Sequence, residues 1–355
     1  MTRAFLKKRQ SIISAGPCGS ALDTPPEEGA EAADAEAQAE GELRAFTVDT
    51  DGHGQRLDRV LAVQVPEFSR SYLQQLIADG AVRLDGQAAT RSAHRVRAGQ
   101  RGEVELRPTP QSQAFLPEPM ALDVVHEDKH LLVINKPAGL VVHPAPGNWR
   151  GTLLNGLLAR DPRAAHLPRA GIVHRLDKDT SGLMVVARDR STMDALVRLI
   201  AAREVSRQYL ALAHRPWQGP AQREVEAPIG RDSANRLRMA VVDLAREAGK
   251  PAATLFELIA NAAQGCWVRA SLRTGRTHQI RVHMAHLGHP LVGDAVYGGA
   301  PSAGLERQAL HAFRLAFTHP DTGQPLTFEA PLPADLAAAL GAWGLSYNAL
   351  AMPAG

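Results

Sequence analysis

Four prolines, at positions 108, 110, 117 and 119, break into a chain that is otherwise patterned for regular structure. Each lacks an amide hydrogen and fixes its own φ, so neither a helix nor a sheet interior can run through this segment. The chain is therefore expected to fold as two units joined by a linker over residues 108–120, and 355 residues leave room for both. A different kind of sequence precedes the first unit. Thr24–Glu42 (TPPEEGAEAADAEAQAEGE) is acidic, low in complexity and nearly free of large apolar side chains. It can bury too little surface to offset the entropy of ordering, so residues 1–44 are read as a disordered acidic tail.

Composition excludes several classes. With 45% hydrophobic and 22% charged residues the chain as a whole has globular composition, and no apolar run approaches the ~18 residues of a membrane span. The segment after Arg3, Lys7, Lys8 and Arg9 is too short and polar for a signal-peptide core. Two cysteines, Cys18 and Cys266, make neither a disulfide framework nor a four-thiolate metal site, and a reducing cytoplasm is the expected location. Beyond residue 45, 35 basic residues stand against 29 acidic ones, an excess that suits a polyanionic partner.

The first unit, residues 46–107, reads α-α-β-β. Leu57, Val60, Leu61 and Val65 form one helical stripe, ended by Pro66. Ser69 caps a second helix carrying Leu73, Leu76 and Ile77, which Gly80 closes. Val82–Leu84, an Asp85–Gly86 turn and a strand over Gly102–Arg107 follow. Nine arginines stud this unit, Arg56, Arg59, Arg70 and Arg83 among them. The pattern (QRLD, then SRSYLQQLIADGAVRLDG) resembles the S4 RNA-binding domain, whose helix pair and following turn present basic residues to structured RNA. By that resemblance these four arginines contact RNA, mostly at phosphates.

The second unit, residues 121–335, mixes strands and helices without strict alternation, so an α+β fold on a mixed sheet is expected. Strands are predicted at HLLVINK, Gly182–Arg188, Val205–Leu212, Thr254–Ile259 and Trp267–Arg273, with a helix capped by Ser191. Residues 336–355 are left as a C-terminal tail. Two polar clusters stand out. His174-Arg175-Leu176-Asp177-Lys178-Asp179-Thr180-Ser181-Gly182 interrupts two apolar runs, as a loop held by buried strands would. In Gly275–His283, Thr277 can cap a helix that buries Ile280, Met284 and Leu287 while Arg281 points elsewhere, towards a carboxylate.

HRLDKDTSGLMVVA together with LRTGRTHQIRVHMAHLGHPLVGDAVYGG is similar to the pseudouridine synthases that modify ribosomal and transfer RNA. VINKPAGLVVHPAPGN, EAPIGR, GKPAATLFE and RQALHAFRLAFTHP support the likeness, which spans about residues 46–335. The resemblance implies an isomerase that converts uridine to pseudouridine, with Asp177 as catalytic aspartate, Tyr209 as the tyrosine packed on the uracil and Arg281 as the basic partner of Asp177. Arg175 matches an arginine that in some relatives fills the space left by the flipped base. Lys136 and Arg231 are further candidates for RNA contact. It also implies 23S rRNA or the large ribosomal subunit as partner, at the hairpin known as helix 69, and a monomer. Isomerisation involves no redox change or group transfer, so no cofactor and no metal are expected.

Other chemistries compete on the same residues. Asp177 and Asp179 are two carboxylates, as glycoside hydrolysis requires. His278, His283, His286 and His289, with Cys266 upstream, invite a metal site, although no H-E-x-x-H pattern is present. A non-catalytic RNA-binding assembly factor would leave Asp177 dispensable. Cys266 is expected to be an inert core thiol, and Gly151–Thr152 and Gly298–Gly299 backbone turns.

Overall fold

The structure, a computed structural model, describes residues 42–66, 68–106, 114–145, 147–235 and 238–347. The chain divides into two compact units, with the boundary after Ser112.

In the first unit β1 (Glu42–Thr47) precedes helices α1 (Leu57–Gln64) and α2 (Arg70–Ala78), and β2 (Val82–Leu84), β3 (Gln87–Ala88) and β4 (Arg101–Leu106) follow. The strands form one sheet in the order β1-β4-β2-β3. The predicted stripes meet in one core, where Leu57, Val60 and Leu61 pack with Leu73, Leu76 and Ile77. Ser69 Oγ accepts from Tyr72 N as the predicted cap, and Asp85 and Gly86 both take positive φ in the predicted turn. The α-α-β-β reading is corrected at its start. Order begins at Glu42, because β1 pairs with β4 along its whole length, so residues 42–44 belong to the sheet and not to a tail. The rest of that tail reading, residues 1–41, lies outside the described residues.

The second unit is built on a nine-stranded sheet. Its strands are β5 (Val124–Glu127), β6 (Leu131–Lys136), β7 (Ser181–Ala187), β8 (Ser206–His214) and β9 (Gln222–Glu226), then β13 (Ala253–Asn261), β14 (Gly265–Leu272), β15 (Leu310–Thr318) and β16 (Pro325–Glu329). The order is β5-β6-β7-β15-β8-β14-β13-β9, with β16 beside β15. A small sheet of β10 (Ile229–Arg231), β11 (Met239–Val241) and β12 (Gly249–Lys250) stands apart. Among the described strands only β7 and β15 run parallel, through His311–Ser181 and Ala312–Gly182, so the sheet is mixed as expected.

Strict alternation sends neighbouring side chains to opposite cores. Leu132, Ile134, Met184, Val186, Tyr209 and Ala211 join one core with α3 (Leu153–Arg160) and α5 (Gln279–His286). Leu131, Val133, Leu183 and Val185 go to the other face beneath α4 (Arg190–Ala202). A sheet covered on both faces explains why LLVINK and SGLMVVA are nearly continuous apolar runs.

Several boundaries move. The linker reading fails from Ala114 onward, because Asn155 Nδ2 donates to the carbonyls of Ala114 (2.9 Å) and Leu116 (2.8 Å), and Ala114 is buried. Residues 107–113 lie outside the described ones. Residues 336–347 are not a tail. They begin within α6 (Ala334–Ala342), and Leu336, Ala339, Leu340 and Trp343 fill a core against Leu212, Trp267 and Phe313. Asp189, not Ser191, caps α4 through Thr192 N. Thr277 caps nothing either. α5 starts from His278 in the left-handed region, and Gln279 Oε1 fastens the preceding turn by accepting from Arg276 N and Thr274 Oγ1.

Candidate active site

The loop before β7 enters the sheet where β7 and β15 begin side by side. Gly182 makes this close approach possible: its φ is +118°, and a Cβ there would lie 2.3 Å from Ala312 O. Three further fastenings hold the loop. Lys136 Nζ donates to the carbonyls of Pro137, Leu140 and Lys178, each at 2.8 Å. Arg307 Nη1 donates to Asp179 O at 3.0 Å, and Gln308 Nε2 to Thr180 Oγ1 at 3.3 Å. Lys136 is 1% exposed, so the expectation that it touches RNA is corrected: its donors are spent inside the protein. Burial pushes its pKa down to about 8, against the opposing pull of Asp179 and Asp177.

Asp177 projects from this loop towards α5. Arg281 Nη1 donates to Asp177 Oδ2 at 3.0 Å, which joins the two polar clusters across 104 residues. The same guanidinium makes a tighter, forked contact behind: Nε and Nη2 donate to Asp294 Oδ2 and Oδ1 at 2.7 and 2.8 Å. Asp294 is 1% exposed, while the Asp177 side chain keeps 19%. Arg281 is thus clamped by a buried carboxylate and offers one N–H to a partly open one. Although burial opposes the charge, Asp294 and Asp177 together raise its pKa further.

His278 stands on the other side of Asp177. Its Nε2 is 3.8 Å from Asp177 Oδ1, and its Nδ1 is 2.8 Å from Tyr297 Oη. Burial lowers the imidazole pKa, so the ring is neutral at pH 7. Because a carboxylate faces Nε2, the tautomer that keeps its hydrogen there is favoured, and Nδ1 then accepts from the phenol. Tyr297 Oη in turn accepts from Met239 N at 3.1 Å, and its ring centroid lies 5.0 Å from Arg281 Cζ. The left-handed backbone of His278 (φ 56°) is a strained choice for a non-glycine residue, and it falls at this site.

Asp177, His278, Arg281 and Asp294 line a cleft of about 770 Å³ with Arg175, Lys178, Asp179 and Arg307, a volume suited to a nucleoside-sized ligand. Arg175 is exposed at its edge. Tyr209 lies 6% exposed in the adjacent core, close enough for the charge of Asp177 to act on its phenol, and burial raises that phenol's pKa. The structure thus brings Asp177, Arg281, Arg175 and Tyr209 to one region. Sequence reasoning missed Asp294, Tyr297 and His278 as members, though all three stand inside the second long motif. Arg56, Arg59, Arg70 and Arg83 lie on the surface of the first unit.

The metal reading of the histidines is not supported by their bonding. Gln279 Nε2 donates to Thr254 Oγ1, which donates to His283 Nδ1, and His283 Nε2 donates to Ala227 O. Both ring nitrogens are spent. Cys266 is fully buried and its thiol is pushed up to about 12, the inert state expected.

A basic S4-type unit and a mixed-sheet unit with an aspartate–arginine pair in a nucleoside-sized cleft define a class, and comparison with known proteins agrees. The family model for RNA pseudouridylate synthase matches residues 130–286, and the S4 domain model matches residues 55–101. The chain belongs to the RNA pseudouridine synthase family, a family of isomerases. Among its relatives is the ribosomal large subunit pseudouridine synthase D of Neisseria meningitidis, 48% identical over 305 residues, covering 82% of this chain and 79% of the relative. The protein of that name from Xanthomonas campestris is 47% identical over 307 residues, covering 83% and 90%. Of solved structures, human RNA Pseudouridylate Synthase Domain Containing 4 has a TM-score of 0.50 at 26% identity, covering 63% of this chain and 94% of that one. Among the described residues no helix is long and apolar enough to cross a membrane.

Proposed function

We propose that this isomerase acts on 23S rRNA of the large ribosomal subunit, at uridines of the hairpin known as helix 69. The observation that carries the chemistry is the Arg281–Asp177 bond at 3.0 Å inside the cleft. The names of the relatives at 47–48% identity support the large-subunit substrate, and family resemblance supports the hairpin.

A paired uridine must leave its stack before reaction, at a cost of a few kcal/mol that is lowest in a loop. Arg175, exposed at the edge of the cleft, enters the space the base vacates. Asp177 faces C1′ as the N1–C1′ bond breaks, acting as nucleophile or as counter-charge to the developing cation. Arg281 holds that carboxylate in place. The freed uracil turns on the ring of Tyr209, C5 bonds to C1′ with release of any Asp177–C1′ bond, and the C5 proton is lost to solvent while N1 takes one up, so the composition is unchanged. Arg56, Arg59, Arg70 and Arg83 grip the RNA backbone through the S4 unit.

The test is tritium release from C5-tritiated uridine in unmodified 23S rRNA, naked and assembled, comparing the native chain with Asp177→Ala. Release by the native chain alone is expected, and site mapping should place the product in helix 69. Equal release by both would refute the role of Asp177. Release from transfer RNA but from neither ribosomal substrate would refute the ribosomal assignment.

A further inference from the structure

The strongest polar cluster outside the cleft lies in the S4 unit and centres on an acid. Asp58 sits in the first turn of α1 and is 0% exposed. Its carboxylate accepts five N–H bonds. Arg56 donates from Nε to Oδ1 (3.0 Å) and from Nη2 to Oδ2 (3.3 Å). Arg70, at the start of α2, donates to Oδ2 from Nε (3.1 Å) and Nη2 (2.9 Å). Gln74, one helical turn beyond Arg70, completes the set at 2.7 Å. Burial opposes this charge, yet the five donors hold the carboxyl well below the usual carboxylate range.

Both arginines bind Asp58 by the same edge. Each spends Nε and Nη2 inward, and neither Nη1 bonds to a described residue. The side chains nevertheless stay 43% and 54% exposed. Two guanidiniums, one from the residue that precedes α1 and one from the first turn of α2, are thus fixed around one carboxylate, with their outer ends open to solvent. That outer Nη1–Nη2 end is the fork that matches phosphate oxygens.

We propose that Asp58 is a positioning residue for RNA recognition, presetting Arg56 and Arg70 as a rigid pair for neighbouring phosphates of the RNA backbone. One buried negative charge between two cations leaves a net positive charge facing outward. Freezing two long side chains in advance removes an entropy cost otherwise met on binding. The inference rests on the reading that the S4 unit binds RNA.

The sign of one substitution separates positioning from bulk charge. Asp58→Asn makes the full-length protein more positive by one charge, so bulk attraction alone predicts tighter binding to any RNA. Positioning predicts the reverse. We expect binding to a 23S transcript to weaken about tenfold in filter assays. The slope of log K against log[KCl] should fall by about one phosphate contact. Binding by a folded Asp58→Asn chain as tight as native or tighter would overturn the proposal. Should that variant fail to fold, Arg70→Lys serves instead, because it keeps the charge at a half-exposed position but loses the fork. A severalfold loss is expected, and native affinity would overturn the proposal. Phosphate contacts carry no sequence information, so the same comparison on bulk transfer RNA tests it even if the 23S transcript is not the substrate. A failure of tritium release bears on the substrate reading alone.

Discussion

Replacing Asp294 by asparagine should damage catalysis through Arg281, although Asp294 does not bond to Asp177. In the native site Arg281 gives its forked edge to Asp294 at 2.7 and 2.8 Å and a single N–H to Asp177 at 3.0 Å. Asparagine removes the charge and one acceptor. The guanidinium then finds its only full counter-charge in Asp177 and turns its fork towards it. Deleting one partner of a buried pair typically costs 3–5 kcal/mol. Because Asp177 remains and asparagine keeps one acceptor, we expect about 2 kcal/mol, a fall in Tm of about 6 °C. For catalysis, Asp177 would have to shed one more charge-assisted bond before meeting C1′. Such a bond contributes about 1.5–3 kcal/mol, so kcat should fall about tenfold to hundredfold. Single-turnover tritium release at saturating RNA reads kcat, and filter binding reads affinity, which should hardly change. A folded Asp294→Asn chain with kcat within twofold of native would refute the reasoning.

Acid should destabilise the fold before the carboxylates titrate. Val185 N–H donates to His174 Nε2 at 3.1 Å, so that nitrogen must be unprotonated, and burial, aided by Arg207, holds the imidazole down to about 3. The folded pKa lies below the unfolded one, so the unfolded chain gains protons first and stability is lost as pH falls from about 6.5 towards 3. This costs about 2 kcal/mol by pH 5. His143 and His311, each held down to about 4 mainly by burial, act in the same sense, and an unchanged Tm between pH 7.5 and 5 would refute this account. Gly182→Ala should cost more than about 3 kcal/mol, read as a lowered urea midpoint or insolubility, because the added methyl meets the backbone of Ala312 and cannot push it aside. Leu340→Ala should lower the urea midpoint by the equivalent of about 2–5 kcal/mol, and a midpoint unchanged from native would mean α6 is not part of the core.

Much of this protein is legible locally. Stripes at helical spacing located α1 and α2, and Ser69 and the Asp85–Gly86 pair act as read because capping and turn geometry involve residues two or three apart. The apolar runs marked β6, β7, β8, β13 and β14 to within one or two residues. The two motifs named Asp177 and Arg281, which do meet.

What failed depended on distant partners. Leu43 is 64% exposed, so β1 carries little apolar signal and exists because β4 offers it a backbone edge. Alanine-rich α6 looked like a tail until Trp267 and Phe313 supplied the surface that its two leucines cover. Lys136, Asp58 and Asp294 are charged and would ordinarily be assigned to the surface, yet each is buried. Sequence by itself determined the two-unit layout, the family and the residue types available for chemistry, since these follow from patterns along the chain. Tertiary structure alone decided which charges are buried and paired. A buried ion is tolerated only where folding brings enough donors or acceptors around it. For Asp58 these come from 2 to 16 residues away, and for Arg281 from 13 and 104.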